Sequence, residues 1–432
     1  MRLRAPAVLP CDPSCTVLRD AVVDVVDGRV AYCGPAAEAP PHEGPERLLT
    51  GILMPGLVNT HAHSPMTVLR GMGGDLPLMR WLTEVIWPAE ARMTPADVRA
   101  GMLLGSVEML RAGVTTSAEM YFHCAEVASA VLETGARAVL APAIIDAPGW
   151  DWKAQTAEAG AWIDTDGLRF GPGDRIEIGY GPHSAYTLPP EALTAVGEQA
   201  RSRGALVQVH VAESLQEDVA QREAHGTVPT LLEKTGLLGG RVLAAHAVHL
   251  SDDDIALFAR HGVSVAHCAG SNAKLASGIA RVPDLLTAGV PLGLGTDGPA
   301  SNDDLDLWEE MRWTAMIARV SRMDSTILGA ADVLLLATRG GAAALHRDDI
   351  GSLEPGTWAD LVHIGVDDPA FAGGVDVPDE QLIANLVWAA GSRTVSDVWV
   401  AGEHVVAEGE STKVDRHEAQ RATVEITGRL RG

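Results

Sequence analysis

The chain has 432 residues, 47% of them hydrophobic and 21% charged, and a formal net charge of −24. That length allows a large core and more than one domain. The charge excludes nucleic acid and anionic membrane surfaces as partners, because both are polyanions. It says nothing against a small neutral substrate.

Cys11, Cys15, Cys33, Cys124 and Cys268 are odd in number and widely scattered. They read as unpaired thiols in a reducing compartment, not as a disulfide framework. The opening "MRLRAPAVLP" has an apolar stretch too short for a signal sequence. No window approaches the roughly 18 uninterrupted apolar residues of a membrane span. A cytoplasmic protein is expected.

Residues 1–50 read as short strands with turns, and "AVVDVVDGRVAYCGP" is a hairpin turning at Asp27 and Gly28. The pattern then changes to strand-like apolar runs alternating with helical stretches. The runs are 52–63, 114–120, 137–146, 176–184, 206–214, 242–248, 263–270 and 290–298. Thr94 and Pro95 open one intervening helix that ends at Gly113, residues 189–204 form another, and a last one is expected over 331–345. Residues 350–410 return to short strands with glycine turns. The expected fold is α/β: a (β/α)8 TIM-like barrel over 56–349, with 1–55 and 350–432 forming one small discontinuous β-sandwich domain.

The first run raises the chemical question. It ends in "NTHAH", and residues two apart on a strand point to one side, so His61 and His63 converge. His210, His246 and Asp297 also fall at C-terminal ends of runs, the end of such a barrel where chemistry happens. Three histidines and a carboxylate, His61, His63, His210 and Asp297, suit one divalent metal with an open position: zinc first, iron(II) as the alternative. Glu213, three residues past His210, is placed to carry a proton beside the metal, and His246 to bond the attacking water. His249 and His267 read as structural. The only lysine between His63 and His210 is Lys153, in a Gly/Trp-rich stretch that reads as loop, so a lysine-bridged binuclear site is disfavoured. "RGMGGD" (70–75) lacks the Lys-Ser/Thr of a phosphate loop and reads as a flexible loop. The segment after it puts Trp81, Trp87 and Glu90 over the barrel mouth, as a lid that could hold a planar ring.

"PGLVNTHAH", "HVAES", "AAHAVHLSDDDI", "AHCAGSNAKLASGIA" and "GLGTDGPASNDDLDLWEEMR", in this order, resemble the amidohydrolase superfamily. Within it they are similar to the branch of S-adenosylhomocysteine/5′-methylthioadenosine deaminases, triazine chlorohydrolases and guanine deaminases. The resemblance implies metal ligands at His61, His63, His210 and Asp297. It implies a proton carrier at Glu213, a water-handling pair in His246 and Asp297, a purine-edge contact at His183 and a ribose clamp at Glu90. It also implies a departure. The arginine that holds an amino-acid carboxylate near the end of the third run is replaced by what reads as Pro142, in "VLAPAIID", and Arg169 or a lid residue is left as the substitute. The expected activity is hydrolytic deamination of an adenine nucleoside, giving the inosine analogue and ammonia. The candidate substrates are 5′-methylthioadenosine, 5′-deoxyadenosine, adenosine, S-adenosylhomocysteine and aminodeoxyfutalosine. The alternatives are a free-base or triazine deaminase or chlorohydrolase, or a non-catalytic metal-binding barrel. The partner is a small-molecule nucleoside, and a homo-oligomer is expected.

Overall fold

A computed structural model describes residues 1–431. Strands from both ends of the chain join in one nine-stranded sheet. Its order is Glu410–Ser411, Glu403–Ala407, Val395–Val400, Leu361–Ile364, Ile52–Pro55, Arg2–Val8, Leu18–Val26 and Arg29–Pro35, with Glu46–Leu48 beside Arg2–Val8. The expected hairpin is present: Val26 pairs with Arg29, and Asp27 and Gly28 both take positive φ, as a tight two-residue turn requires.

The run 52–63 is not one strand. Ile52–Pro55 belongs to the terminal sheet and Leu57–Ala62 to the interior. The chain crosses between them at Gly56, where a Cβ would sit 2.0 Å from the Thr115 hydroxyl. Only glycine fits such an approach.

The interior strands lie in two sheets. Leu57–Ala62, Val114–Tyr121, Arg137–Ile144 and Ile176–Ile178 run parallel, with Gly181–Pro182 also on Arg137–Ile144. Leu206–Val211, Arg241–His246, Ser264–His267 and Leu292–Leu294 form a second parallel set. Single parallel bridges join the two sets at both edges: Ala62 to Asp297, and Tyr180 to Val207 with Ser184 to His210. Val58, Ala118, Val139, Leu206, Leu243 and Ala266, one from each of six strands, pack together inside. These strands are buried on both faces, which explains their nearly continuous apolar runs.

The helix Pro95–Arg111 starts with a capping box between Thr94 and Asp97, and Pro190–Arg203 ends at left-handed Gly204. Two expectations fail locally. Lys153 lies not in a loop but in the first turn of the helix Trp152–Asp166, because the Asp151 side chain caps its N–H. The stretch 331–345 breaks into Ala330–Leu336 and Arg339–Ala344. A Cβ on Gly341 would sit 2.9 Å from the Val58 carbonyl oxygen, so the second piece turns in to pack closely on the strand Leu57–Ala62. The last helix, Arg416–Arg431, rests on Pro95–Arg111, where Arg429 pairs with Asp97, and on Ser64–Leu69, where Thr427 donates to the Val68 carbonyl. No helix among the described residues is long and apolar enough to cross a membrane.

Candidate metal centre and active site

Each histidine of the cluster is held from behind. His61 Nδ1 meets the Gln208 amide oxygen at 2.6 Å, and His63 Nδ1 the Met120 carbonyl at 2.6 Å. His210 Nδ1 meets the His183 carbonyl at 2.7 Å, and His246 Nδ1 the Asn272 amide oxygen at 2.9 Å. An oxygen acceptor at Nδ1 keeps the proton there and leaves a lone pair on Nε2. The four Nε2 atoms therefore face one another. His63 and His210 approach to 3.4 Å through Nε2, and Asp297 Oδ1 lies 3.2 Å from His63 Nε2 and 3.5 Å from His61 Nε2. His61 Nε2 is buried with no hydrogen-bond partner among the described residues.

Lone pairs aimed together in a buried place are the donor set of a divalent metal, and the groups His61/His63/Asp297 and His61/His210/His246 each bring three such atoms within 4.8 Å. The expected ligand set converges, with His246 closer to it than expected. His246 and Asp297 sit at the strand ends with φ of +67° and +60°. That strained conformation for non-glycine residues is stored at functional sites.

Electrostatics follow from burial. Burial and the neighbouring histidines lower the basicity of His61 and His210, and burial lowers that of His246. Burial would raise the Asp297 carboxyl, but the His61 and His63 side chains that face it hold it well below the usual carboxylate range. Glu213 stands 4.0 Å from His246 Nε2, and its backbone N–H is held by the Glu217 carboxylate at 3.0 Å. Burial, then the Asp297 charge, push Glu213 up to about 8. A carboxyl in that state keeps its proton at neutral pH and can donate it.

Above this floor lies a cavity of about 770 Å³. Trp81, Glu90 and His183 all line it, as expected. Trp81 is fixed by an indole N–H bond to the Met72 carbonyl at 3.1 Å. Glu90 is pushed up to about 7 by burial, against the nearby Tyr121 hydroxyl. Burial and the histidines His63 and His61 press His183 down to about 3, so it is neutral. His249 is structural, bonded to the Ser277 carbonyl, and His267 is buried behind the site.

Two expectations change. Pro142 does not line the cavity; that strand presents Ala143, and Ile145 follows just past its end, because inward positions alternate from Val139. Arg169 does not line the cavity either; it is bonded to Glu177 on the strand Ile176–Ile178. The sequence reading missed Gln208, Asn272, Ser271 and Ser301. Gln208 was findable, since it shares the inward face of its strand with His210 two residues on. Ser271 and Ser301 both donate to Asp297 Oδ2, at 2.6 and 2.7 Å, but one lies in a six-residue helix and the other in a turn, too short for any periodicity to betray them.

Parallel strands that deliver histidines and a carboxylate to one end define the class of metal-dependent hydrolases. The chain belongs to the amidohydrolase family: residues 52–405 match the model described as "Amidohydrolase family". It is 39% identical to a 5-methylthioadenosine/S-adenosylhomocysteine deaminase of Pelotomaculum thermopropionicum, across 99% of both chains. It is 38% identical to a 5′-deoxyadenosine deaminase of Methanopyrus kandleri, across 88% of this chain and 86% of that one. A crystal structure of an adenosine deaminase from Xanthomonas campestris with bound zinc superposes with a TM-score of 0.93, at 37% identity over 100% of this chain and 98% of that one.

Proposed function

We propose that this chain is a zinc-type hydrolytic deaminase of an adenine nucleoside with an uncharged 5′ end, yielding the inosine analogue and ammonia. The observation that carries the reading is the convergence of His61, His63, His210 and Asp297 beneath Glu213, on the floor of a cavity that also holds Glu90. His61, His63, His210 and Asp297 would hold the metal. With a metal held there, the pKa of a bound water would fall from about 15.7 toward 7. Glu213 carries its proton to ring N1, which makes C6 electrophilic. His246 Nε2 and Asp297 face the same point and orient the attacking water. His183, neutral, meets the purine edge. Trp81 walls the cavity and excludes water. Glu90 accepts from the ribose hydroxyls, and a free base or triazine offers it nothing.

The 5′ end is assigned from what lines the rest of the cavity. Among the described residues none of the lining side chains is arginine or lysine, while Glu90, Asp146, Glu213 and Asp297 are all carboxyl side chains. Toward the mouth stand Met79, Trp87 and Trp150, 42%, 38% and 40% exposed, with Trp150 against Phe122 at 4.5 Å between rings. A base anchored at the floor and a ribose at Glu90 leave the 5′ group against these apolar side chains. Methylthio or hydrogen fits there, and a carboxylate meets no cation.

Further support extends to the architecture. The bridges at both edges of the parallel sheets favour one closed (β/α)8 barrel over 56–349. A separate apolar cluster with Leu3, Val23, Leu53, Leu361 and Trp399 favours a small sandwich from 1–55 and 350–432. Five free cysteines favour a reducing compartment, the cytoplasm.

The test is a panel of adenosine analogues, followed by the spectral change from adenine to hypoxanthine. 5′-Methylthioadenosine and 5′-deoxyadenosine should exceed S-adenosylhomocysteine about tenfold in kcat/KM, because its carboxylate would be desolvated with no cation to answer it, at a cost of about 1.5 kcal/mol. Ile145→Arg should narrow that gap. A 2′,3′-dideoxy substrate should lose about 10- to 150-fold, and Glu90→Ala should erase most of that loss. Turnover of guanine or a triazine with none of any adenine nucleoside would overturn the reading.

A further inference from the structure

We infer that Ser271 and Asn272 are positioning residues, and that one short helix, Ala269–Lys274, sets the orientation of both Asp297 and His246. Ser271 is wholly buried and its hydroxyl donates to Asp297 Oδ2 at 2.6 Å. The next residue, Asn272, 2% exposed, turns its amide oxygen to His246 Nδ1 at 2.9 Å. Ser301, on a different segment, donates to the same Asp297 oxygen at 2.7 Å.

The two segments are tied together. Glu310, buried in the helix Leu307–Arg322, accepts from the Gly270 N–H at 3.1 Å and from the Asn302 side chain at 3.0 Å. A Cβ on residue 270 would lie 2.2 Å from Asn302 Oδ1 and 2.4 Å from Glu310 Oε1, so only glycine admits this clasp. Glu310 thus holds the residues next to Ser271 and Ser301 in a fixed relation.

The consequence lies in the two oxygens of Asp297. Oδ2 is occupied by two hydroxyl donors. Oδ1 faces His61 and His63 Nε2. The serines therefore present the carboxylate to a metal through one oxygen and hold it against rotation. Asn272 does the matching task for His246: an acceptor at Nδ1 fixes the proton there and leaves Nε2 unprotonated toward the floor.

This rests on the metal reading, so the experiment includes readouts that need no substrate. Protein loaded with Co²⁺ is examined by visible absorption, and metal affinity is measured by competition with a chelator. Ser271→Ala should change the cobalt bands and weaken affinity about 10- to 100-fold, the usual effect of losing a partner behind a ligand. Its kcat should fall with KM near that of the parent. Ser301→Ala acts on the same oxygen from the other segment and should move the bands in the same direction, which keeps the test alive if Ser271→Ala fails to fold. Asn272→Leu should lower kcat about 10- to 100-fold with little change in KM. Asn272→Asp should recover most of it, since its oxygen can only accept the Nδ1 proton. Unchanged cobalt bands and affinity in both serine variants would overturn the clamp. An Asn272→Asp variant as slow as Asn272→Leu would overturn the role of Asn272. Parent protein that takes up no cobalt would refute the metal site itself, a separate result.

Discussion

Both ends of the interior parallel strands bury charge, in opposite ways. At the C-terminal end of the strands, four histidines direct lone pairs at one another with Asp297, and Glu213 stands beside them. At the N-terminal end, Arg137, Arg169, Arg241 and Arg347 interleave with Glu177, Asp349 and Asp360. There the charges answer one another. Arg137 grips Asp360 with two bonds of 2.9 and 3.0 Å and spends a third nitrogen on the carbonyls of Gly173 and Asp174. Glu177 takes Arg169 on one oxygen and Arg241 on the other, each at 2.8 Å. The lesson concerns what remains unmatched. Charge paired with charge packs one end of the strands, whereas donor atoms that converge without a counterpart call for something from outside.

That difference predicts opposite failures. Glu213→Gln should keep its metal and its melting temperature while kcat falls about 10²–10⁴-fold, the scale of lost general acid–base catalysis. Near-normal kcat in a metal-loaded variant would remove Glu213 from proton transfer. Asp360→Ala at the other end should leave Arg137 buried and unpaired, and cost about 3–5 kcal/mol of stability. The rate per folded molecule should stay that of the parent. Denaturant unfolding with activity titrated on the same samples checks both, and a Glu213→Gln variant that unfolds early would erase the contrast.

The catalytic end was legible because its residues are of unusual type and sit at equivalent places, the ends of successive apolar runs. The other end was not. Arg169 and Arg347 belong to irregular or short segments, and their partners are remote in sequence: Arg347 meets Glu177 across 170 residues. So Arg169, offered as a substitute cation for the mouth, lies instead in this lower network. Pro142 misled for a different reason. A strand position reads correctly only when its inward parity is known, and that parity is fixed by packing partners such as Val139, not by the local string. The break at Thr338 and the change of sheet at Gly56 were hidden likewise, since both answer to the close approach of a distant strand. The serines behind Asp297 had no period to follow, only a place in three dimensions.

A third buried cluster, in the terminal sheet, sharpens the comparison at smaller scale. Asp397 accepts from Arg47 at 2.7 Å, His404 at 2.9 Å and Ser396 at 2.9 Å, with His363 Nδ1 at 3.1 Å. Like the lower end of the barrel, this is charge answered by charge, and it should govern stability alone. Burial by itself would raise the carboxyl, but the His363 and Ser396 hydrogen bonds and the Arg47 charge outweigh it and hold Asp397 far below its ordinary value. A carboxyl whose folded pKa lies below its unfolded value, about 3.9, stabilises the fold fully above that value. The contribution is lost progressively as pH falls from about 4 through the folded pKa. Asp397→Asn should therefore cost about 1.5–3 kcal/mol at pH 7, the scale of a hydrogen bond to a charged group. The gap between parent and variant should narrow steadily below pH 4, while kcat at pH 7 stays unchanged. Urea midpoints at pH 7, 5 and 3 measure it directly, and a gap that is constant down to pH 3 or that widens on acidification would show that Asp397 acts through packing, not through its charge.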